Sequence, residues 1–166
     1  MLALEGAGLG VWDWNTKTNE VFFSRHWKAM LGYAPKDVGN TLQQWLELIH
    51  PDDLARCQAD RARHYRGETA IYRSEHRVRA KDGSWRWILD QGTVFERNAD
   101  GDPLRVVGTY TDVTERKQAE QSLLEKQGAL AEAQRIAHIG SWSWQLATGA
   151  MTCSEETLRL CGMAAG

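Results

Sequence analysis

Residues 7–34 read AGLGVWDWNTKTNEVFFSRHWKAMLGYA, and residues 137–164 read AHIGSWSWQLATGAMTCSEETLRLCGMA. The two stretches align without a gap at an offset of 130 residues. That sets Gly10 against Gly140, Trp12 against Trp142, Trp14 against Trp144, Thr18 against Thr148, Ser24 against Ser154 and Gly32 against Gly162. Self-similarity at a fixed period marks a repeated unit. This period is too long for a solenoid repeat and suits a whole domain plus linker, so the chain reads as one complete unit followed by the opening of a second. Within the first copy, Trp12 and Trp14 alternate with Val11 and Asp13. Glu20 to Ser24 is again rich in aromatic and β-branched residues, so the two segments predict a hairpin turning at Thr16 to Asn19. Ser24 is placed to cap a short helix whose Trp27, Met30 and Leu31 fall on one face and which Gly32 closes.

Outward from this stretch, Thr41 and Gln44 have capping-box spacing, and Leu42, Trp45, Leu46 and Ile49 mark one buried helix face. Pro51 opens the next helix, with Asp52 and Asp53 in its positive first turn, a weaker inner face of Leu54, Cys57, Ala62 and Tyr65, and Gly67 at its end. From Tyr72 the period becomes two, setting Tyr72, Ser74, His76 and Val78 against Arg73, Glu75, Arg77 and Arg79, the pattern of a strand wetted on one face. Asp82-Gly83 predicts a hairpin turn, Trp85 to Phe95 a long strand, Asp100-Gly101 and Pro103 another turn, and Leu104 to Asp112 a last strand. The expected fold is α+β, a five-stranded antiparallel sheet with short helices inserted between strands two and three. Thr114 then caps a helix former-rich segment to residue 137, with Ala119, Leu123, Leu130 and Ala137 spaced as a stripe and Gly128 weakening its middle by about 1 kcal/mol relative to alanine. Such a stripe predicts a second copy of the chain as partner through Leu123 and Leu130.

The chain holds 166 residues, 42% hydrophobic, 25% charged and 9% aromatic, the balance of a soluble globular protein. No apolar run approaches the ~18 residues of a membrane span, and neither a span nor a secretory leader is expected in this fragment. A net charge of −2 with well-mixed signs argues against a nucleic-acid surface. Cys57, Cys153 and Cys161 lack metal-ligand spacing, so reduced thiols in a cytoplasmic protein are expected, with neither a disulfide nor structural zinc.

Gly10–Trp14 (Gly-x-Trp-x-Trp), His50–Asp53 (His-Pro-Asp-Asp), Lys81–Trp87 (Lys-Asp-Gly-Ser-Trp-Arg-Trp), Gly108–Thr114 (Gly-Thr-Tyr-Thr-Asp-Val-Thr) and Glu115–Lys117 (Glu-Arg-Lys) together resemble the PAS domain with its PAC extension. The likeness covers residues 7–117 and restarts at 137. It implies a PAS/PAC sensory domain over 1–113, a signalling linker helix over 114–137, and a second, truncated PAS domain over 138–166. It also implies a cytoplasmic sensor of a bacterial multidomain protein, upstream of a histidine kinase or diguanylate cyclase in the manner of a two-component system. In this family an Asp-x-Thr at the sheet exit tethers the output helix, and here it falls on Asp112 and Thr114. Ordinary capping preference would also select those two residue types.

The resemblance leaves the cofactor open. Flavin-binding relatives use a cysteine in an Asn-Cys-Arg-Phe-Leu-Gln stretch that this sequence lacks, and Cys57, in ARCQAD, reads as a small core residue. Haem-binding relatives use a histidine on the helix before the third strand, which singles out His64, but its neighbours Arg61, Arg63 and Arg66 predict a solvated side chain. His50 reads as structural. His76 takes a strand position that is often aromatic in the family; it reads as a satisfied core histidine that could serve as a polar point in a pocket. Trp45, Cys57, Tyr72, His76 and Trp87 are the expected neighbours of any small-molecule ligand. The eight tryptophans otherwise read as core.

Two functions remain open, a sensor that repositions its output helix on binding a ligand or redox cofactor, and a ligand-free dimerisation module. No GxSxG elbow, phosphate loop with lysine, HExxH or paired-carboxylate cleft beyond Asp52 and Asp53 is present, so the fragment itself is not expected to be an enzyme. Residues 140–163 should expose Trp142, Trp144 and Leu160, and are expected to be disordered or docked on another surface.

Overall fold

A computed structural model describes residues 8–163; the ends of the first and last expected segments, 1–7 and 164–166, lie outside the described residues. The elements run β1 (Gly10–Asn15), β2 (Glu20–Phe23), α1 (Arg25–Met30), α2 (Leu42–Leu46), α3 (Pro51–Tyr65), β3 (Tyr72–Arg79), β4 (Trp85–Arg97), β5 (Pro103–Asp112), α4 (Thr114–Ala137), β6 (Trp142–Trp144), β7 (Met151–Cys153) and α5 (Glu155–Leu160). The chain divides into two compact units, one ending at Glu115 and one beginning at Arg116.

In the first unit five strands form one antiparallel sheet in the order β2-β1-β5-β4-β3. The helices begin where the residue chemistry places them. Ser24 Oγ accepts from the amides of Trp27 at 3.2 Å and Val11 at 3.0 Å, so one hydroxyl caps α1 and ties it to β1. Thr41 caps α2, and the His50 ring caps α3 just ahead of Pro51. Asp53 exceeds its expected capping role. It is buried, and its carboxylate receives the Arg77 backbone amide at 2.9 Å and the Arg77 guanidinium at 2.8 and 3.1 Å, clamping α3 to β3. Burial opposes the Asp53 charge, but these bonds outweigh it and hold the carboxyl down to about 2.

The inner sheet face carries Trp12, Tyr72, Val78, Ile88, Val106 and Tyr110, closed over by Trp27, Leu31, Trp45 and Cys57 from the helices. The close approach of β1 to α1 requires a glycine at Gly10, since a Cβ there would stand 2.9 Å from the Trp27 Cα.

The second unit repeats the geometry of residues 11–32 at the same offset of 130. Ser154 Oγ accepts from Thr157 at 3.3 Å and Ser141 at 3.0 Å, as Ser24 does from their counterparts. Trp142 pairs with Cys153 as Trp12 pairs with Phe23. The left-handed turn residues recur as well, Asn19 against Gly149 and Gly32 against Gly162. Trp142, Trp144 and Leu160 are exposed, and so are Leu123 and Leu130 on α4. No helix among the described residues is long and apolar enough to cross a membrane.

Candidate functional site

Antiparallel register decides which side chains reach the interior, because directly opposed residues share a face. The Asp82-Gly83 turn pairs Arg79 with Trp85, and the ladder then sets Tyr72 against Gly92, Ser74 against Asp90 and His76 against Ile88. Asp90, Gly92 and Ile88 therefore join the face of Tyr72 and His76. On β5 the same face carries Tyr110 and Gly108, opposite Asp90 and Gly92, and on β1 it carries Trp12, opposite Gly108.

The two glycines make room for one indole. A Cβ on Gly108 would meet Trp12 Cζ2 at 2.3 Å and the Gln91 carbonyl oxygen at 2.3 Å, and one on Gly92 would meet Trp12 Cζ2 at 2.7 Å. The Trp12 ring thus crosses both strands, and its Nε1 donates to Asp90 Oδ1 at 2.8 Å. Asp90 is 1% exposed. Burial pushes its carboxyl up to about 8 against the opposing pull of the Trp12 hydrogen bond and, more weakly, of Tyr72, Arg61 and Tyr110, so Asp90 is protonated at neutral pH.

Beside this pair lies a cavity of about 30 Å³. Trp12, Trp14, Val21 and Phe23 wall it from the hairpin, Leu42 and Trp45 from α2, Arg61 and Tyr65 from α3, and Tyr72, Asp90, Val106 and Tyr110 from the other strands. Arg61 lies over the Trp45 ring, 5.4 Å from its centroid. Its Nη1 is buried with no hydrogen-bond partner among the described residues, while the Tyr72 hydroxyl is buried beside Asp90 and opposes the upward push on its carboxyl. The Trp45 indole donates to the Tyr110 hydroxyl, which stands 3.5 Å from His76 Nε2. Buried polar groups are nearly always paired, so the Arg61 nitrogen is an exception in this wall.

Of the residues expected around a ligand, Trp45 and Tyr72 line this cavity and three do not. Trp87 opposes Arg77 across the ladder, with the Arg77 guanidinium 5.5 Å from its ring centroid, and so occupies the outer sheet face. Cys57 is buried one layer away, its sulfur 3.6 Å from the Ser74 hydroxyl. His76 is fully buried behind Trp45 and Tyr110; its Nδ1 has no partner among the described residues, which corrects the expectation of a satisfied histidine, and burial pushes it down to about 4. His64 is also corrected. Far from solvated, it is 3% exposed, with Nδ1 2.9 Å from the Thr69 carbonyl oxygen and Nε2 accepting from the Val94 amide at 3.2 Å, so it ties α3 to the sheet. The periodicity signal was there, since His64 sits seven residues beyond Cys57 on one helix face. Asp90, Trp12, Arg61 and Tyr110 are cavity residues that sequence reasoning missed, and only the hairpin register could have found Asp90.

The sheet exit is built on the same two strands. Asp112 opposes Ile88, one inward position from the Asp90–Tyr110 pair. Asp112 Oδ1 accepts from the Thr114 amide at 2.8 Å, while Thr114 Oγ1 accepts from the Trp87 amide at 2.9 Å. Thr114 was expected to cap α4; instead Asp112 supplies the acceptor for the first α4 amide, and the threonine hydroxyl fastens the helix start to β4.

The family model described as the PAS fold matches residues 20–110. A methyl sulfide methyltransferase-associated sensor from Methanosarcina acetivorans is 34% identical over 100 residues, which cover 60% of this chain and 10% of that protein. The crystal structure of a sensory box histidine kinase/response regulator from Burkholderia thailandensis is 38% identical with a TM-score of 0.70, covering 79% of this chain and 96% of that one. The N-terminal domain of a diguanylate cyclase with PAS/PAC sensor from Marinobacter aquaeolei shares the fold at 20% identity and a TM-score of 0.57, covering 66% and 98%. The chain spans about a tenth of the length of curated relatives that it matches.

Proposed function

The chain belongs to the PAS fold family, and from that premise we propose that it is the sensory relay module of a bacterial multidomain signalling protein, converting a change at the cavity into movement of α4. One observation carries the reading. The strands that present Asp90 and Tyr110 to the cavity also hold the joint of Trp87, Asp112 and Thr114, with Asp112 two residues along β5 from Tyr110. Two residues along a strand span about 7 Å. A shift of β4 against β5 at the cavity therefore reaches the helix start with little room to dissipate in a close-packed interior.

The output domain is a histidine kinase or diguanylate cyclase elsewhere in the parent protein, as in the sensors that the chain resembles, and the module itself is regulatory. Hydrogen exchange tests the relay. Raising the pH from 6.5 to 9, through the Asp90 value of about 8, should change the protection of the first α4 turn severalfold, and Asp90→Asn should erase the change. A first turn whose protection ignores the Asp90 charge would overturn the proposal.

A second reading, a dimerisation module that needs no ligand, draws on the exposure of Leu123 and Leu130, 57% and 61%. It requires a sedimenting dimer that falls to monomer in Leu123→Glu/Leu130→Glu; a monomer before and after substitution contradicts it.

A further inference from the structure

We infer that α4 hands its movement to the β6–β7 hairpin through a latch of His138, Glu156 and Arg159, so that the first receiver of the output helix is the second hairpin of its own chain. This deepens the relay reading and rests on it. All three residues lie in the second unit. At the offset of 130 they stand against Gly8, His26 and Ala29, so the two copies share a backbone geometry but only the second carries the pairing.

The end of α4 places the latch. The His138 amide bonds the Arg135 carbonyl at 3.4 Å and the Ile139 amide bonds the Gln134 carbonyl at 3.0 Å, the paired helix ending that a left-handed residue closes. His138 is that residue, with φ at 53°, a conformation that glycine adopts freely and that its counterpart Gly8 adopts at 69°. A side chain at such a position calls for a reason, and the ring supplies one. Its Nδ1 lies 3.1 Å from Arg159 Nη2 and 3.5 Å from Glu156 Oε1. Glu156 is 6% exposed, and the Arg159 fork binds both of its oxygens, Nε at 2.7 Å and Nη2 at 2.5 Å. A carboxylate this enclosed is costly to leave unpaired, so the fork keeps it in place. The Glu156–Arg159 pair is internal to α5; His138 is what joins it to α4.

The hairpin is fastened to the same corner. Ser154 and Thr157, on either side of Glu156, bond the Ser141 amide and carbonyl at 3.0 and 2.8 Å, and Gln134 reaches the Ser141 hydroxyl at 3.0 Å. The last turn of α4, the entry to β6 and the first turn of α5 are therefore bonded to one another. A rotation of α4 carries β6 with it because each side of the corner is tied.

The full chain is followed by NMR from pH 6.5 to 9, reading the amides of Trp142 to Trp144 beside those of Val113 to Arg116. In the wild type the hairpin amides should shift with the midpoint near 8 that belongs to Asp90, and Asp90→Asn should abolish the shift. His138→Gly keeps the left-handed turn and removes only the ring. It should cut the hairpin shift at least threefold, leave Val113 to Arg116 responding, and preserve or raise the melting temperature; Arg159→Gln should cut the hairpin shift likewise. Hairpin shifts undiminished in both variants would overturn the latch. A hairpin that loses its amide dispersion in His138→Gly would make the histidine a structural residue and overturn its part in transmission. Wild-type hairpin amides that ignore Asp90 while Val113 to Arg116 follow it would overturn the latch and leave the relay standing; silence at both places would overturn the relay and the latch with it.

Discussion

The indole of Trp12 and the carboxyl of Asp90 are 78 positions apart in sequence and share a 2.8 Å hydrogen bond inside the sheet, over two glycines that leave the ring its space. This contact bridges β1 and β4 across β5, so the cavity wall and the strands leading to α4 are one bonded assembly. Its energetics are unusual because a buried carboxyl that keeps its proton gives up stability as the solution becomes alkaline.

The pH dependence of stability follows from that proton. Asp90 binds it more tightly folded than unfolded, so its contribution is complete below the unfolded value of 3.8 and is lost as pH rises through about 8. His76, pushed down from 6.5 to about 4, has the opposite slope between those values and contributes none above them. Between pH 6.5 and 8 the Asp90 loss is no longer opposed by His76. Denaturant melts should show wild-type stability falling over that interval and a flat Asp90→Asn. Parallel curves for the two proteins would remove Asp90 as the cause.

The bed of the Trp12 ring is tested by Gly108→Ala. The added Cβ meets both the indole and the Gln91 carbonyl oxygen, and backbone cannot step aside as a flexible side chain can. A loss of about 3 kcal/mol is expected from overpacking of this kind. Gly67→Ala serves as a contrast, since its Cβ meets nothing within 4 Å and the cost there comes from its positive φ alone. Chemical denaturation of both variants, with Gly108→Ala the less stable, is the expected result.

The clamp of Asp53 on Arg77 has an acid signature. Its folded value lies below the unfolded 3.8 at about 2, so its contribution is present above pH 4 and is lost as pH falls toward 2. The shift corresponds to about 2 kcal/mol. Asp53→Asn should lose at least that at pH 7, and its deficit against wild type should shrink steadily below pH 4 in the same melts. A deficit independent of pH would assign the loss to packing instead.

Much of this fold is legible in the chain because its signals are local. Ser24, Thr41 and Pro51 stand at helix starts for reasons of backbone chemistry, and the alternation of Tyr72 to Val78 states its own buried face. The candidate site is less legible because its membership depends on register between distant strands. An acid in a strand normally faces water, and nothing within Ile88 to Gly92 says that Asp90 turns inward; only the pairing of Arg79 with Trp85 fixes it. The same pairing sends Trp87 outward. His64 was obscured by the arginines around it, although helical spacing from Cys57 turns it toward the sheet.

If the cavity and the start of α4 are mechanically one, the helix start must register the charge of Asp90. The backbone amide resonances of Val113 to Arg116, followed from pH 6.5 to 9 in the wild type and in Asp90→Asn, decide it. These amides should shift in the wild type with a common midpoint near the Asp90 value of about 8, and the shift should disappear in Asp90→Asn. Amides that stay still while the Trp12 indole resonance titrates would contradict it, because the cavity would then have changed its charge without the helix registering the event.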